Sequence, residues 1–155
     1  MSGLRGLGLL AVAATLSACA GGGVMEPLPG EPFLLAEREV QEFETAGFSV
    51  KFHGVIADSR CPSDTRCSWG GNAEIRLLVE TLDGRRASTV TLHTAADEQH
   101  ATERCVFDHT VRLLRLDPER VSSGSALLND YAVTLTLTEG CATSASKGAT
   151  GFNPG

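Results

Sequence analysis

The chain has 155 residues, with 13 Lys and Arg against 19 Asp and Glu and a formal charge of −6. Its basic residues are scattered, the densest pair being Arg85-Arg86. Nucleic-acid binding, which depends on clustered Lys and Arg, is therefore not expected, and neither is attraction to anionic headgroups. The patterned part of the chain, about 110 residues, suffices for one domain with one core and not two.

Residues 1–18 read as a targeting segment. Arg5 is the only charge there, and Leu7 to Leu16 is an apolar run of about ten residues. That length suits a signal-peptide core and falls short of the roughly 20 residues that span a bilayer. The run ends in Leu16-Ser17-Ala18-Cys19. This resembles the lipobox of bacterial lipoproteins, where a branched apolar residue and two small residues precede the cysteine that receives a diacylglyceryl group. The resemblance implies cleavage before Cys19, acylation at that residue, and a membrane partner reached through lipid. Each buried CH₂ of an acyl chain contributes about 0.8 kcal/mol, and more than one chain makes the attachment stable. Ala20 follows the cysteine, where an Asp would resemble an inner-membrane retention signal. In a Gram-negative cell the resemblance thus points to the outer membrane, at its periplasmic face or its surface. A plain signal peptide with an incidental cysteine is the competing reading. Cleavage leaves 137 residues and, with Arg5 removed, a charge of −7.

Residues 19–32 read as a lipidated tether, because Ala20 to Pro32 (AGGGVMEPLPGEP) is rich in Gly and Pro and has little to bury. Residues 33–141 carry the β domain. Residues 142–155 (ATSASKGATGFNPG after Cys141) read as a disordered tail.

Within the domain the hydrophobic period is two, not 3.6. Phe33 to Phe43 supplies one or two short strands before a turn at Ala46-Gly47. Phe48, Val50, Phe52 and Ile56 then alternate with polar neighbours, as do Ala73, Ile75, Leu77 and Val79. Val90 and Leu92 follow, and Tyr131, Val133, Leu135 and Leu137 give the cleanest alternation. Asp83-Gly84 tolerates the positive φ of a type I′ turn, so 72–82 and 85–93 are expected to form a hairpin. Residues 109–117 change parity between Val111/Leu113 and Leu114/Leu116; a β-bulge would put both pairs inward, and a short helix is the alternative. About seven antiparallel strands in a sandwich or barrel are predicted, each sheet with one wet face.

Past Cys19 there are four cysteines, an even number that suits an oxidising compartment. Cys61 and Cys67 share one Pro-containing loop, so a local bridge is the economical pairing. Cys105 precedes the strand at 109–117 and Cys141 follows the one at 131–139; if these run antiparallel, the two thiols meet at one sheet end. Four thiolates also suit zinc, although structural sites favour C-x₂₋₄-C knuckles and here the spacing is C-x₅-C.

Asp58-Ser59-Arg60-Cys61-Pro62 followed by Cys67-Ser68-Trp69-Gly70-Gly71 is the most distinctive stretch. It resembles a D-S-R-C-P-x₄-C-x-W-x-G signature of bacterial secreted proteins and lipoproteins of unassigned function, a likeness that runs through roughly 33–139 to Asp130-Tyr131. Cys105 and Cys141 fall outside the signature. The resemblance implies a fold and no activity. Physically the stretch reads as a stiff corner between strands: Pro62 stiffens the loop, Gly70-Gly71 allows positive φ just before the strand at 72–82, and Asp58 and Arg60, on one parity, either pair with each other or cap the loop's backbone groups. Trp69 is either a packing plate over the disulfide or an exposed anchor for a protein or glycan. Asp58, Arg60, Pro62 and Trp69 form the candidate contact surface.

Catalytic signals are lacking. There is no G-x-S-x-G elbow, no H-E-x-x-H and no phosphate-cradling Gly loop outside the tether. His53 and His93 fall on polar parities and are expected to face solvent, while His100 and His109 lie in or beside loops. No enzyme, cofactor or resident metal is expected. The predicted role is a membrane-anchored binding or structural module of the cell envelope, with an envelope protein or glycan as partner. Two alternatives are an inhibitor-like module that inserts the 61–67 loop into a protease, and a periplasmic Cu/Zn-binding protein using scattered histidines.

Overall fold

The computed structural model describes residues 25–122 and 131–141. The signal segment, Cys19, Asp130 and the 142–155 tail lie outside the described residues. Eight strands follow in chain order: β1 (Pro32–Ala36), β2 (Val40–Phe43), β3 (Phe48–Asp58), β4 (Ala73–Thr81), β5 (Ala87–His93), β6 (Glu103–Val106), β7 (His109–Asp117) and β8 (Ala132–Glu139). They form two antiparallel sheets ordered β1-β8-β7-β6 and β2-β3-β4-β5.

Period-two alternation explains why these segments form strands and which faces meet. Phe48, Val50 and Phe52 of β3, Ile75, Leu77 and Val79 of β4, and Val133 and Leu135 of β8 are almost fully buried. They interleave with Leu35, Leu92 and Val111 as one core between the sheets. Burying each such side chain contributes roughly 1.5–3 kcal/mol. The fold is a β-sandwich. Backbone hydrogen bonds also fasten the chain where it passes between the sheets. Arg38 N donates to Phe52 O at 2.7 Å, extending the β2–β3 pairing where the chain arrives from the other sheet; His93 N donates to Ala101 O at 2.9 Å where the chain passes from β5 to β6.

Several details differ from the sequence reading, each for a local reason. The predicted count is about seven strands and there are eight, because Glu103–Val106 is a short edge strand with only one buried apolar residue, Val106. The β4–β5 turn is not type I′: Gly84 alone has positive φ, and the Asp83 carboxylate instead accepts from Thr81 Oγ1 at 2.6 Å and Arg85 N at 3.0 Å. Two consecutive positive φ values occur at Phe107 (48°) and Asp108 (62°), between β6 and β7, where no glycine marks them. Phe107 is held there by its ring, which stands edge-on to Phe48 and beneath Arg86, whose Cζ is 4.4 Å from the ring centre.

Residues 109–117 are strand and not helix, and the parity change is a bulge between Leu113 and Arg115. It returns Leu116 to the core but leaves Leu114 50% exposed, so only one member of the second pair faces inward. Ile56 is likewise outside at 44% exposure, because β3 shifts register between Phe52 and Gly54 and again between Val55 and Ala57.

The sandwich has two distinct ends. β3, β4, β7 and β8 span it, so the Asp58, Ala73, Asp117 and Ala132 termini gather at one end. The Phe48, Thr81, His109 and Glu139 termini gather at the other, roughly 30 Å away by strand rise. Residues 25–31, within the expected tether, lie at this second end: Gly30 N donates to Leu137 O at 2.7 Å and Glu26 meets Thr45 at 3.3–3.4 Å. The Cys105–Cys141 bridge sits here too, with Cα atoms 5.3 Å apart.

Candidate functional site

The first end carries the 58–72 corner, which is built from the inside outwards. At its base Arg60 Nε and Nη2 donate to Asp58 Oδ1 and Oδ2 at 3.0 and 2.8 Å, a two-pronged, charge-assisted pair. The side chains are only 16% and 10% exposed. Arg60 also spans the sandwich, because Nη1 donates to Leu116 O at 2.7 Å and Nη2 to Pro118 O at 2.8 Å. One guanidinium thus ties the end of β3 in one sheet to the end of β7 in the other. Tyr131 OH donates to Asp58 Oδ2 at 3.3 Å from the start of β8.

The electrostatics follow from this packing. Burial on its own would raise the Asp58 carboxyl, but the hydrogen bonds and charge of Arg60 prevail and hold it below the ordinary range. Tyr131 is pushed up, first by burial and then by the Asp58 charge, which keeps its phenolic proton in place as a donor.

Above this base, Cys61 and Cys67 are bridged, with Cα atoms 5.9 Å apart. The loop they close is zipped to the segment after β7: Ser63 N donates to Arg120 O at 2.8 Å, and Asp64 accepts from Ser122 N at 2.9 Å and Ser122 Oγ at 2.6 Å. Gly71 has φ +65°, and a Cβ there would lie 2.7 Å from Arg60 Cα and 2.8 Å from Cys61 N. Two backbone stretches meet at that point, so the last glycine of the signature is a steric requirement.

Asn72 is the hub of the far side. Its Oδ1 accepts from Thr94 Oγ1 and Ala95 N at 3.2 and 3.1 Å, and its Nδ2 donates to His93 Nδ1 at 3.0 Å. His93 is therefore not solvated as its parity predicts; it is 9% exposed, at the end of β5 beneath His100, whose ring centre is 4.3 Å away. Burial, with the neighbouring His100, lowers its proton affinity. His53 is exposed as expected.

On this frame Trp69 stands out. Its side chain is 65% exposed, beside exposed Arg66, so it does not act as a buried plate over the disulfide. The four predicted contact residues therefore separate. Trp69 is at the surface, Pro62 is half-buried, and Asp58 and Arg60 lie beneath as support.

Comparisons with family models, with curated proteins and with solved structures found no match.

Both cysteine pairs are disulfides, so their sulfurs are not available as zinc ligands. Among the described residues no three His, Cys, Asp or Glu side chains gather as a metal cage. Sequence reasoning placed Ser59 and Asn72 in the corner without a role and missed Arg120 and Ser122 altogether. Each acts through a partner distant in the chain, and only the 58–72 spacing hinted that anything was fastened there.

Proposed function

We propose that the protein is a lipid-anchored envelope module that binds a protein or glycan partner through the Trp69 corner. The observation that carries this reading is one exposed indole on a scaffold where disulfide, ion pair and steric glycine fix the supporting backbone. Such a residue loses little freedom on binding, and rigid aromatic anchors dominate interface energetics. Placement supports it as well. Five residues lie between Cys19 and Met25, an extended reach of about 20 Å, and the chain enters at the end opposite the corner. Attachment at Cys19 would leave Trp69 pointing away from the bilayer. The 58–71 stretch also resembles the signature of bacterial secreted proteins and lipoproteins, and its Asp58, Arg60, Cys61, Cys67 and Gly71 are residues that brace the corner.

The inhibitor reading has less support. Ser63 and Asp64, in the middle of the 61–67 loop, spend their backbone N–H and carboxylate on the 120–122 segment, leaving only Thr65 and Arg66 for a target. A photo-crosslinking residue at position 69, introduced in cells, is expected to capture a discrete envelope partner. The same residue at exposed Arg85, at the opposite end, is expected to capture none. Identical patterns from both positions, or none from 69, would remove the corner from the account.

A further inference from the structure

At the end opposite the corner lies a cleft of about 740 Å³, a size that holds a small organic ligand. Its floor is apolar, formed by Phe43 and Leu137, which are 3% and 6% exposed. One wall is the 26–29 segment, stiffened by Pro27 and Pro29 and fastened just beyond by the Gly30–Leu137 hydrogen bond. Apart from Thr45 and His109, the polar lining consists of the carboxylates of Glu26, Asp108 and Glu139, with no Lys or Arg among the lining residues. Among the described residues none of the three carboxylates has an ion-pair partner.

His109 adds an acceptor to the same wall. Its Nδ1–H donates to Phe107 O at 2.8 Å, which leaves Nε2 as the acceptor of the neutral ring. The ring is set edge-on to Phe48, with centroids 5.0 Å apart.

We infer that this cleft binds a small amphiphilic cation, an amine carried on an apolar body. The body packs against exposed Leu28 and Pro29 above the buried Phe43 and Leu137, and the ammonium N–H groups face carboxylates that have no ion-pair partner among the described residues. Carboxylate or phosphate amphiphiles meet three like charges and are excluded. The inference is independent of the Trp69 reading, because the two surfaces lie at opposite ends of the sandwich.

The test is an NMR titration of the ¹⁵N-labelled full chain with three ligands of equal apolar body: 4-phenylbutylammonium, 4-phenylbutanol and 4-phenylbutyrate. The ammonium ion is expected to shift the amides of Thr45, Ala46, Glu139 and Gly140, and to bind at least about tenfold more tightly than the alcohol. The butyrate is expected not to bind. Asp108→Asn combined with Glu139→Gln removes two cleft charges whose side chains make no other hydrogen bond or ion pair among the described residues, and is expected to weaken the ammonium about tenfold with the spectrum otherwise intact. Equal binding of all three ligands, shifts located elsewhere, no shift with the ammonium, or an unaffected double variant would each overturn the assignment.

Discussion

Replacing Arg60 by methionine is expected to destabilise the domain by about 3–5 kcal/mol, the usual result of leaving a buried charge without its partner. The Asp58 carboxylate would lose both prongs of its ion pair, and the carbonyls of Leu116 and Pro118 would lose their donor. Urea denaturation measures the loss, and the Asp58→Asn/Arg60→Met double variant is expected to recover part of it, because no charge is then stranded. The pH dependence separates this mechanism from simple loss of packing. In the native protein the Asp58 carboxyl is held below its unfolded value of about 3.9. Its contribution is thus fully present above that pH and lost as pH falls through the folded value. Without Arg60, burial raises the carboxyl instead, so the acid-side decline attributable to Asp58 disappears and the variant's deficit narrows as pH falls. A variant within 1 kcal/mol of the parent, with an unchanged acid limb, would show that the guanidinium is not the fastening described here.

The second large effect is expected at the other end. Converting Cys105 and Cys141 together to serine removes a cross-link between residues 36 apart in sequence, worth about 4 kcal/mol by loop entropy. The corresponding change at Cys61 and Cys67, only six apart, is expected to cost about 2 kcal/mol. For a domain whose total stability is about 5–15 kcal/mol, the longer bridge is a substantial share. It joins the edge strand β6 to the chain leaving β8 across the intervening β7. Thermal unfolding of the two double variants should therefore rank them in that order, and the reverse order would mean that the corner bridge carries more than its loop length accounts for.

The two bridges also show what was legible in the sequence. Clean alternation in Tyr131–Leu137 and a broken alternation at 109–117 point to β8 and β7, and an antiparallel arrangement of the two is the condition that brings Cys105 and Cys141 to one sheet end. β3 and β4 were legible for the same reason, since burial on one face forces period two. The failures lie where that pattern is broken by a backbone irregularity. Two register shifts in β3 turn Ile56 outward, the first at Gly54 (φ 144°), a glycine inside a strand that marks such an irregularity; the bulge in β7 does the same to Leu114 and has no residue that announces it. The turn at Phe107-Asp108 adopts positive φ through tertiary contacts of the Phe107 ring, while the Asp83-Gly84 sequence, which advertises such a turn, is satisfied by side-chain bonds instead. His93 was misplaced because parity decides which sheet face a residue occupies, and a loop from elsewhere, carrying His100, then covered that position.

For the candidate site, the shared parity of Asp58 and Arg60 left pairing and backbone capping both open, and the Gly70-Gly71 pair pointed to a positive φ that Gly71 alone adopts. The reach of Arg60 into β7 was invisible, because a guanidinium bonding to carbonyls leaves no mark on the partner's side chains. Whether Trp69 lay over the bridge or stood free was equally beyond sequence reasoning, since both arrangements use the same residues.

The most direct measurement is metabolic labelling with tagged palmitate in a bacterial host that processes lipoproteins. The parent chain is expected to carry the label and sediment with membranes, and Cys19→Ser is expected to carry none and to lose its membrane association. An unlabelled parent, or a label that persists in Cys19→Ser, would contradict a protein held to the envelope by its first mature residue.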